Sequence, residues 1–297
     1  MSIVVDRDNK LWLWGSDNYG QLGSNTTDDI SNPNNPVGNH RFIKVDQAVY
    51  STLALKTDGS VWSWGRNNLG QLGVNNTNDY SSPVSVVGNH SFVEIACGDN
   101  FLIYLKANGS IWGCGENNIG QLGNNTTTNI SSPISAVGNH SFIKISAGNS
   151  YMTALKADGS AWAGGSNAYG VLGINNVINY SSPVSVIGDH SFTDINLNGT
   201  LNNYCLMLKS DGSVWGMGHN DNYQLNSVNN TSYSSPVSVV SNHSFIKIIA
   251  GEFHVIALKE NGSVWAWGRN YENILNDNSG VTQSLPVSMT KFKNIFL

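Results

Sequence analysis

The chain has 297 residues, of which only 12% are charged, with 20 acids against 15 bases and a formal net charge of -5. That length suits two ordinary domains or one large all-β domain, and so sparse a basic complement excludes a polyanion-binding surface, which needs clustered Lys and Arg. The 42 Asn and 31 Gly, with few straight-chain helix formers, exclude a mainly helical protein.

The chain opens with MSIVVDRDNKLWLWG, which lacks the basic start, apolar run and small-residue cleavage site of a secretory leader. No run is long enough to span a bilayer as a helix. The expectation is a soluble protein, cytoplasmic or part of a virion, without a membrane partner. SIVVD (2–6) and LWLWG (11–15) read as the first strands, joined at Asp8-Asn9.

WGSDNYGQLG then begins at Trp14 and returns as WGRNNLGQLG at Trp64, CGENNIGQLG at Cys114, GGSNAYGVLG at Gly164, MGHNDNYQLN at Met217 and WGRNYENILN at Trp267. The offsets are 50, 50, 50, 53 and 50 residues, so six copies of one unit fill the chain. In the second copy, TLALKTDGSVWSWG (52–65) holds two strands around Asp58-Gly59, a pair whose positive-φ geometry suits a two-stranded hairpin. A Gly- and Asn-rich loop follows, then SSPVSVVG (81–88), where Pro83 suits an outer strand, and the alternating SFVEIACG (91–98). Four short strands per copy predict a β-propeller of six four-stranded blades over residues 1–297, one domain. KFKNIFL (291–297) reads as an orphan first strand that pairs with SIVVD and closes the ring. The alternative is part of a seven-bladed ring.

The unit ALKTDGSVWSWGRNNLGQLGVNN…SSPVSVVG…FVEIACG resembles the regulator of chromosome condensation type of repeat. The shared pattern is Leu-x-x-Asp-Gly, an aromatic-x-Trp-Gly strand, Asn-x-x-Gly-Gln-Leu-Gly, a Pro-Val strand and a closing Ala-Gly, and it covers essentially the whole chain. The family usually has seven blades, against six here. A family His three positions after the closing Ala-Gly survives only as His254; Ser51, Phe101, Tyr151 and Tyr204 stand at the other equivalents. Relatives of this type include a nucleotide-exchange factor for a nuclear small GTPase, a plant ultraviolet photoreceptor and a secreted inhibitor of β-lactamases. What the resemblance implies is a propeller face presented to a protein partner, since one scaffold hosts many activities.

No catalytic constellation emerges: Gly-x-Ser-x-Gly, His-Glu-x-x-His and Cys-x-x-Cys are all missing. Neither an enzyme nor a cofactor is expected. GRNNLGQLG (65–73) has no Gly-Lys-Ser/Thr opening a helix, so its glycines are read as turn formers. Tyr223 replaces the second of these glycines in the fifth unit, and that loop is expected to differ in shape. Cys97, Cys114 and Cys205 lie in apolar runs without metal spacing and read as buried free thiols. His40, His90, His140, His190 and His243 recur between blades, too far apart for one metal ion, and read as partners of the crossover turn. Alternating tryptophans, as in Trp62/Trp64, read as packing between blades.

The copies stop agreeing mainly in units five and six. His219, Asp221 and Tyr223, the turn Glu252-Phe253-His254, and Tyr271 with Glu272 break the consensus, as does the insertion near 199–203. Aromatic and charged loop residues freed from the repeat suit a protein-contact patch. The expected function is therefore a non-catalytic interaction or assembly scaffold, bacterial or a phage or virion component. The partner is a protein, with no nucleic acid and no metal. The alternatives are an exchange-factor-like regulator of a small GTPase and an enzyme-inhibitor propeller.

Overall fold

In the computed structural model, all residues are described except 198–202, 226–228, 240–242, 276, 278 and 290–297. Six antiparallel sheets follow one another along the chain as the blades of a β-propeller, and among the described residues helix is confined to two 3-10 turns, Ala168–Gly170 and Tyr271–Asn273. Blade two shows the plan, with strands Lys44–Gln47, Ser51–Leu55, Val61–Gly65 and Tyr80–Ser85 hydrogen-bonded in sequence order. Blades three to six repeat it, starting at Glu94–Cys97, Phe142–Ala147, Phe192–Leu197 and Lys247–Ala250. Blade one contributes Ser2–Val5, Leu11–Gly15 and Ile30–Asn34. The seven-bladed alternative is not supported. The expected closure by KFKNIFL lies outside the described residues, as do residues 199–202 of the insertion.

The apolar core lies between blades rather than within them. Leu53 and Leu55 of blade two cluster with Phe92, Ile95 and Tyr104 of blade three, and the same sandwich recurs at each boundary from blade one to blade six. Period-two alternation places one side chain of each pair toward the preceding blade and the next toward the following one, so both faces of the central strands are buried. Trp64 and Trp267, both fully buried, donate their Nε1 protons to the Gln21 and Gln224 carbonyls of the preceding blade at 2.9 and 3.0 Å. Cys114 occupies the same position, and its Sγ contacts the Gln71 carbonyl at 3.3 Å. All three cysteines are free and buried.

The hairpins differ in one respect from the sequence reading. Only Gly59 of the Asp58-Gly59 pair has positive φ, +80°, and its amide donates to the Lys56 carbonyl while the Lys56 amide donates to Ser60, both at 3.0 Å. This is a type I turn followed by a left-handed bulge residue; Asp58 stays right-handed because its Oδ1 accepts the Ser60 amide at 2.8 Å.

The abundant Asn has a specific use in the loop between third and fourth strands. Asn67 Oδ1 accepts the Leu72 amide at 2.9 Å, its Nδ2 donates to the Asn76 carbonyl at 2.9 Å, and Gln71 Oε1 accepts the Leu69 amide at 2.9 Å. Gly70, at φ +79°, lies so close to blade three that a Cβ there would sit 2.6 Å from Ser131 Cα. Tyr223 overturns the expectation of a differently shaped loop: it takes φ +59° and donates to the Asn220 carbonyl at 3.0 Å, as Gly70 does to Asn67 at 2.9 Å. The surrounding Asn and Gln bonds are retained, Leu225 to Asn220 and Asn222 to Gln224, and they hold a tyrosine in a region that L residues avoid.

The recurring histidines also have other partners than the crossover turn. His40, His90 and His190 lie 3.1–3.2 Å through Nδ1 from the ammonium groups of Lys56, Lys106 and Lys209, and all five stack on a tryptophan with centroids 4.1–4.8 Å apart. Each of those lysines in turn lies over the same tryptophan, as Lys106 does over Trp112 at 3.9 Å. From blade two to blade six the first position of the pair therefore caps a repeated His-Lys-Trp cluster at the blade edge, and the second position fills the core.

Candidate interaction face

Two distinct faces follow from the strand order. The turn between first and second strands and the loop after the third strand emerge together, tied by bonds such as Arg66 to the Tyr50 carbonyl at 2.9 Å and Arg269 to Phe253 at 2.8 Å. This side is called the loop face. The hairpin turns and the blade-to-blade crossovers form the opposite, turn face, tied by bonds such as Phe92 to the Gly59 carbonyl at 2.9 Å.

All eight residues singled out as a protein-contact patch belong to loop-face segments. His219 Nε2 and Asp221 Oδ2 are 3.0 Å apart, and Tyr169 of blade four meets the imidazole edge-on at 4.7 Å. Tyr169 is itself left-handed, at φ +65°, and 49% exposed. Two tyrosines in a strained backbone region thus flank the blade four–five boundary, the kind of local cost that binding sites retain. Tyr271 and Phe253 sandwich the Arg269 guanidinium at 4.3 and 4.7 Å. Together with Glu252, His254 and Ile274 they line a cavity of about 290 Å³ on blade six. Burial lowers the pKa of His254 against the opposing pull of Glu252. Glu272 lies in the 3-10 turn Tyr271–Asn273.

Sequence reasoning missed the arginines and their aromatic neighbours on blades one and two. Arg66 stacks over Tyr19 and Tyr50 at 5.0 and 5.5 Å, with those rings 4.9 Å apart. The signal was present: the residue after each strand-ending glycine is Ser16, Arg66, Glu116, Ser166, His219 and Arg269, four residue types in six copies while the glycine before it repeats. The turn face offers less. A depression of about 460 Å³ there is lined by Lys259, Glu260 and Asn261 of the repeated hairpin with Ser244 and Ile246. Among the described residues no group of three or more His, Cys, Asp or Glu is placed to hold a metal ion, and no helix is long and apolar enough to cross a membrane.

Comparison with solved structures returns propellers of the same design. Human WBSCR16 superposes with a TM-score of 0.83 at 19% identity, covering 97% of this chain and 78% of its own. Prp20p from Saccharomyces cerevisiae, described with its binding properties to Gsp1p and histones, gives 0.83 at 19% identity over 99% of this chain and 75% of its own. Yeast RCC1 (Prp20) bound to Kap60 gives 0.83 at 18% identity, with 99% and 73% covered. At these identities the likeness is one of fold. No curated protein sequence matches the chain. The family model described as RCC1-like domain matches residues 1–296, and with its repeat, its blade plan and its neighbours all in agreement, the chain belongs to the RCC1-like domain family.

Proposed function

We propose that this chain is a protein-binding propeller that engages its partner through the loop face, centred on blades four to six. The observation that supports this most directly is that the places where the copies depart from one another converge there. His219, Asp221 and Tyr223, the Phe253–Arg269–Tyr271 stack and its cavity all lie on that side, with Tyr271 62% and Ile274 51% exposed. Large side chains free of the repeat's packing demands are what an interface anchor needs. On a rigid ring they are presented without ordering cost.

Among finer readings, an exchange-factor-like regulator of a small GTPase has more support than a phage or virion component. Prp20p, whose fold this chain shares over nearly its full length, is described by its binding to Gsp1p and histones, and yeast RCC1 (Prp20) is described bound to Kap60. The virion reading draws no support from these neighbours.

The test is affinity capture from the native source with immobilised wild-type chain, a Phe253→Ala/Tyr271→Ala variant and a turn-face Asp58→Asn/Asp158→Asn variant, read by mass spectrometry. The reading expects a protein retained by the wild type and the turn-face variant and lost from the loop-face variant. For the regulator reading, the retained protein is a small GTPase whose nucleotide release the chain accelerates. A partner lost only from the turn-face variant overturns the assignment of the face.

A further inference from the structure

The formal charge of the chain is unevenly divided between the two faces. The turn face carries eight cations, the five lysines of the His-Lys-Trp stacks with Arg7, Lys10 and Arg41, against seven acids, so it is close to neutral. Around the axis, Lys44 pairs with Glu94 at 3.1 Å and Lys144 with Asp194, while Asp46 and Lys247 balance. The loop face is different. Beyond the buried Asp17 it holds Asp28 and Asp29 on blade one, Asp79 on blade two, and Asp99 and Glu116 on blade three. Asp221 follows on blade five, then Glu252, Glu272 and Asp277 on blade six. Its only cations are Arg66 and Arg269, both stacked between aromatic rings. Lys291 and Lys293 lie outside the described residues. The net charge of -5 is therefore essentially a property of one side.

This negative side coincides with the molecule's aromatic cavity. On blade six, the cavity of about 290 Å³ is lined by Phe253, Tyr271 and Ile274 together with Glu252, His254 and Arg269, whose guanidinium lies over the Phe253 and Tyr271 rings. Glu272 and Asp277 belong to the same loop. An excess of acid around a concave, partly apolar site selects its occupant: Phe253, Tyr271 and Ile274 suit an apolar or aromatic side chain, and the surrounding acids, which outnumber Arg269, favour positive charge on either side of it. An acidic or neutral segment would find the same cavity but be repelled or unaided at the rim.

We infer that the loop face docks a basic protein segment carrying an apolar anchor, the anchor entering the Phe253–Tyr271–Ile274 cavity and flanking Lys or Arg facing the blade five and six acids. The inference rests on the protein-binding reading of this face and specifies the chemistry of its partner. It makes rim contacts the salt-sensitive part and the cavity the salt-insensitive part, because exposed charge pairs are screened within a Debye length of roughly 10 Å at 0.1 M salt whereas apolar burial is not.

The test is fluorescence anisotropy of three labelled probe peptides, Lys-Lys-Trp-Lys-Lys, Lys-Lys-Ser-Lys-Lys and Glu-Glu-Trp-Glu-Glu, with the full chain at low and high NaCl. Saturable one-to-one binding of the first alone is expected, weakening as salt rises. Glu252→Gln should weaken it about two- to fivefold at low salt, the range of an exposed ion pair. Tyr271→Ala/Ile274→Ala should weaken it at any salt, and the turn-face variant Asp158→Asn/Asp211→Asn should leave it unchanged. Circular dichroism and a thermal midpoint on each variant show that the fold is kept. Equal binding of the Glu probe, equal binding of the Ser probe, or an equal loss in the turn-face variant overturns the inference. These outcomes are separable from failure of the broader reading: a captured partner that needs Phe253 and Tyr271 but binds independently of salt removes only the basic-segment claim.

Discussion

Asn196 offers a sharp test of what holds the centre of the ring together. The innermost strands present an unpaired edge to the axis, and an exposed edge amide must find an acceptor. Side chains of the preceding blade supply it: Asp46 accepts the Cys97 amide at 2.8 Å, Ser146 the Leu197 amide at 3.1 Å, and Asn196 the Ala250 amide at 2.8 Å. Ala250 is 7% exposed, so in Asn196→Ala its amide loses its acceptor where water has little access. Leaving a buried donor unmade costs about 1–3 kcal/mol. For a chain of 297 residues, an unfolding entropy near 2.1 cal/mol/K per residue makes this a fall in Tm of roughly 2–5 °C. Asn196→Ser should recover most of it, because Ser146 performs the same task one blade earlier with a hydroxyl. Differential scanning calorimetry and urea titration of the three proteins decide the matter. A shift below about 1 °C for Asn196→Ala, or an equal loss for Asn196→Ser, would show that the neck is held by apolar packing and that the side-chain latch is incidental.

Three further outcomes follow from the same structure. Tyr223→Gly should be neutral to about 1 kcal/mol stabilising, because relief of the left-handed cost of roughly 1–2 kcal/mol exceeds the entropy that glycine adds to the unfolded chain; Gly70→Ala should lose about 1–3 kcal/mol, since its Cβ meets the Ser131 backbone. Urea midpoints of both variants check the pair, and a destabilised Tyr223→Gly would mean that the ring contributes packing worth more than the strain. Stability should also fall as pH drops: burial first, and the neighbouring lysine second, lower the pKa of His40, His90, His140, His190 and His243 below the ordinary 6.5. The folded state therefore binds fewer protons than the unfolded one, so the contribution is present above about pH 6.5 and is lost as pH falls through the histidine range; midpoints that are flat between pH 7.5 and 5 contradict it. Burial pushes the Cys114 thiol up to about 12 and the Cys97 thiol well above its ordinary value, so an aromatic disulfide reagent should titrate no thiol in the native chain and three after unfolding.

The blade plan was legible because its signals are local and repeated six times. A turn at Asp58-Gly59, a Pro at the outer strand and a glycine loop at fixed offsets leave few alternatives to a propeller. What sequence alone obscured were the details that depend on neighbours in space. The positive φ belongs to Gly59 alone because an Asp58 side-chain bond, invisible in a dipeptide pattern, settles the turn type. Tyr223 keeps the glycine geometry because Asn220 and Gln224 fix the loop from both sides, and propensity yields to that scaffold. The histidines meet lysines as well as the crossover turn, where His40 lies against Gly38, because residues 16 to 19 positions apart, such as His40 with Lys56 and His190 with Lys209, are brought together only once the first and second strands of a blade pair.

The same distinction explains why the candidate site was only half visible. On the turn face Lys56, Lys106, Lys156, Lys209 and Lys259 share a structural task, each lying over a tryptophan, so their position is dictated by the repeat and recurs from blade to blade. On the loop face the position after the strand-ending glycine is not held to one residue type, and it runs through Ser, Arg, Glu, Ser, His and Arg. Charge there is free of the scaffold, which is why the excess of acid collects on that side. Departures from the consensus in units five and six pointed to Tyr271 and His219, but Arg66, Tyr19 and Tyr50 sit in units that otherwise obey the repeat, and the variation at the Arg66 position was the one signal there. They become a set only because the ring brings the end of one strand beside the loop of the preceding blade, with Arg66 over Tyr19 at 5.0 Å. A propeller of near-identical blades therefore records its fold in what repeats, and its recognition surface in the one face where repetition is not enforced.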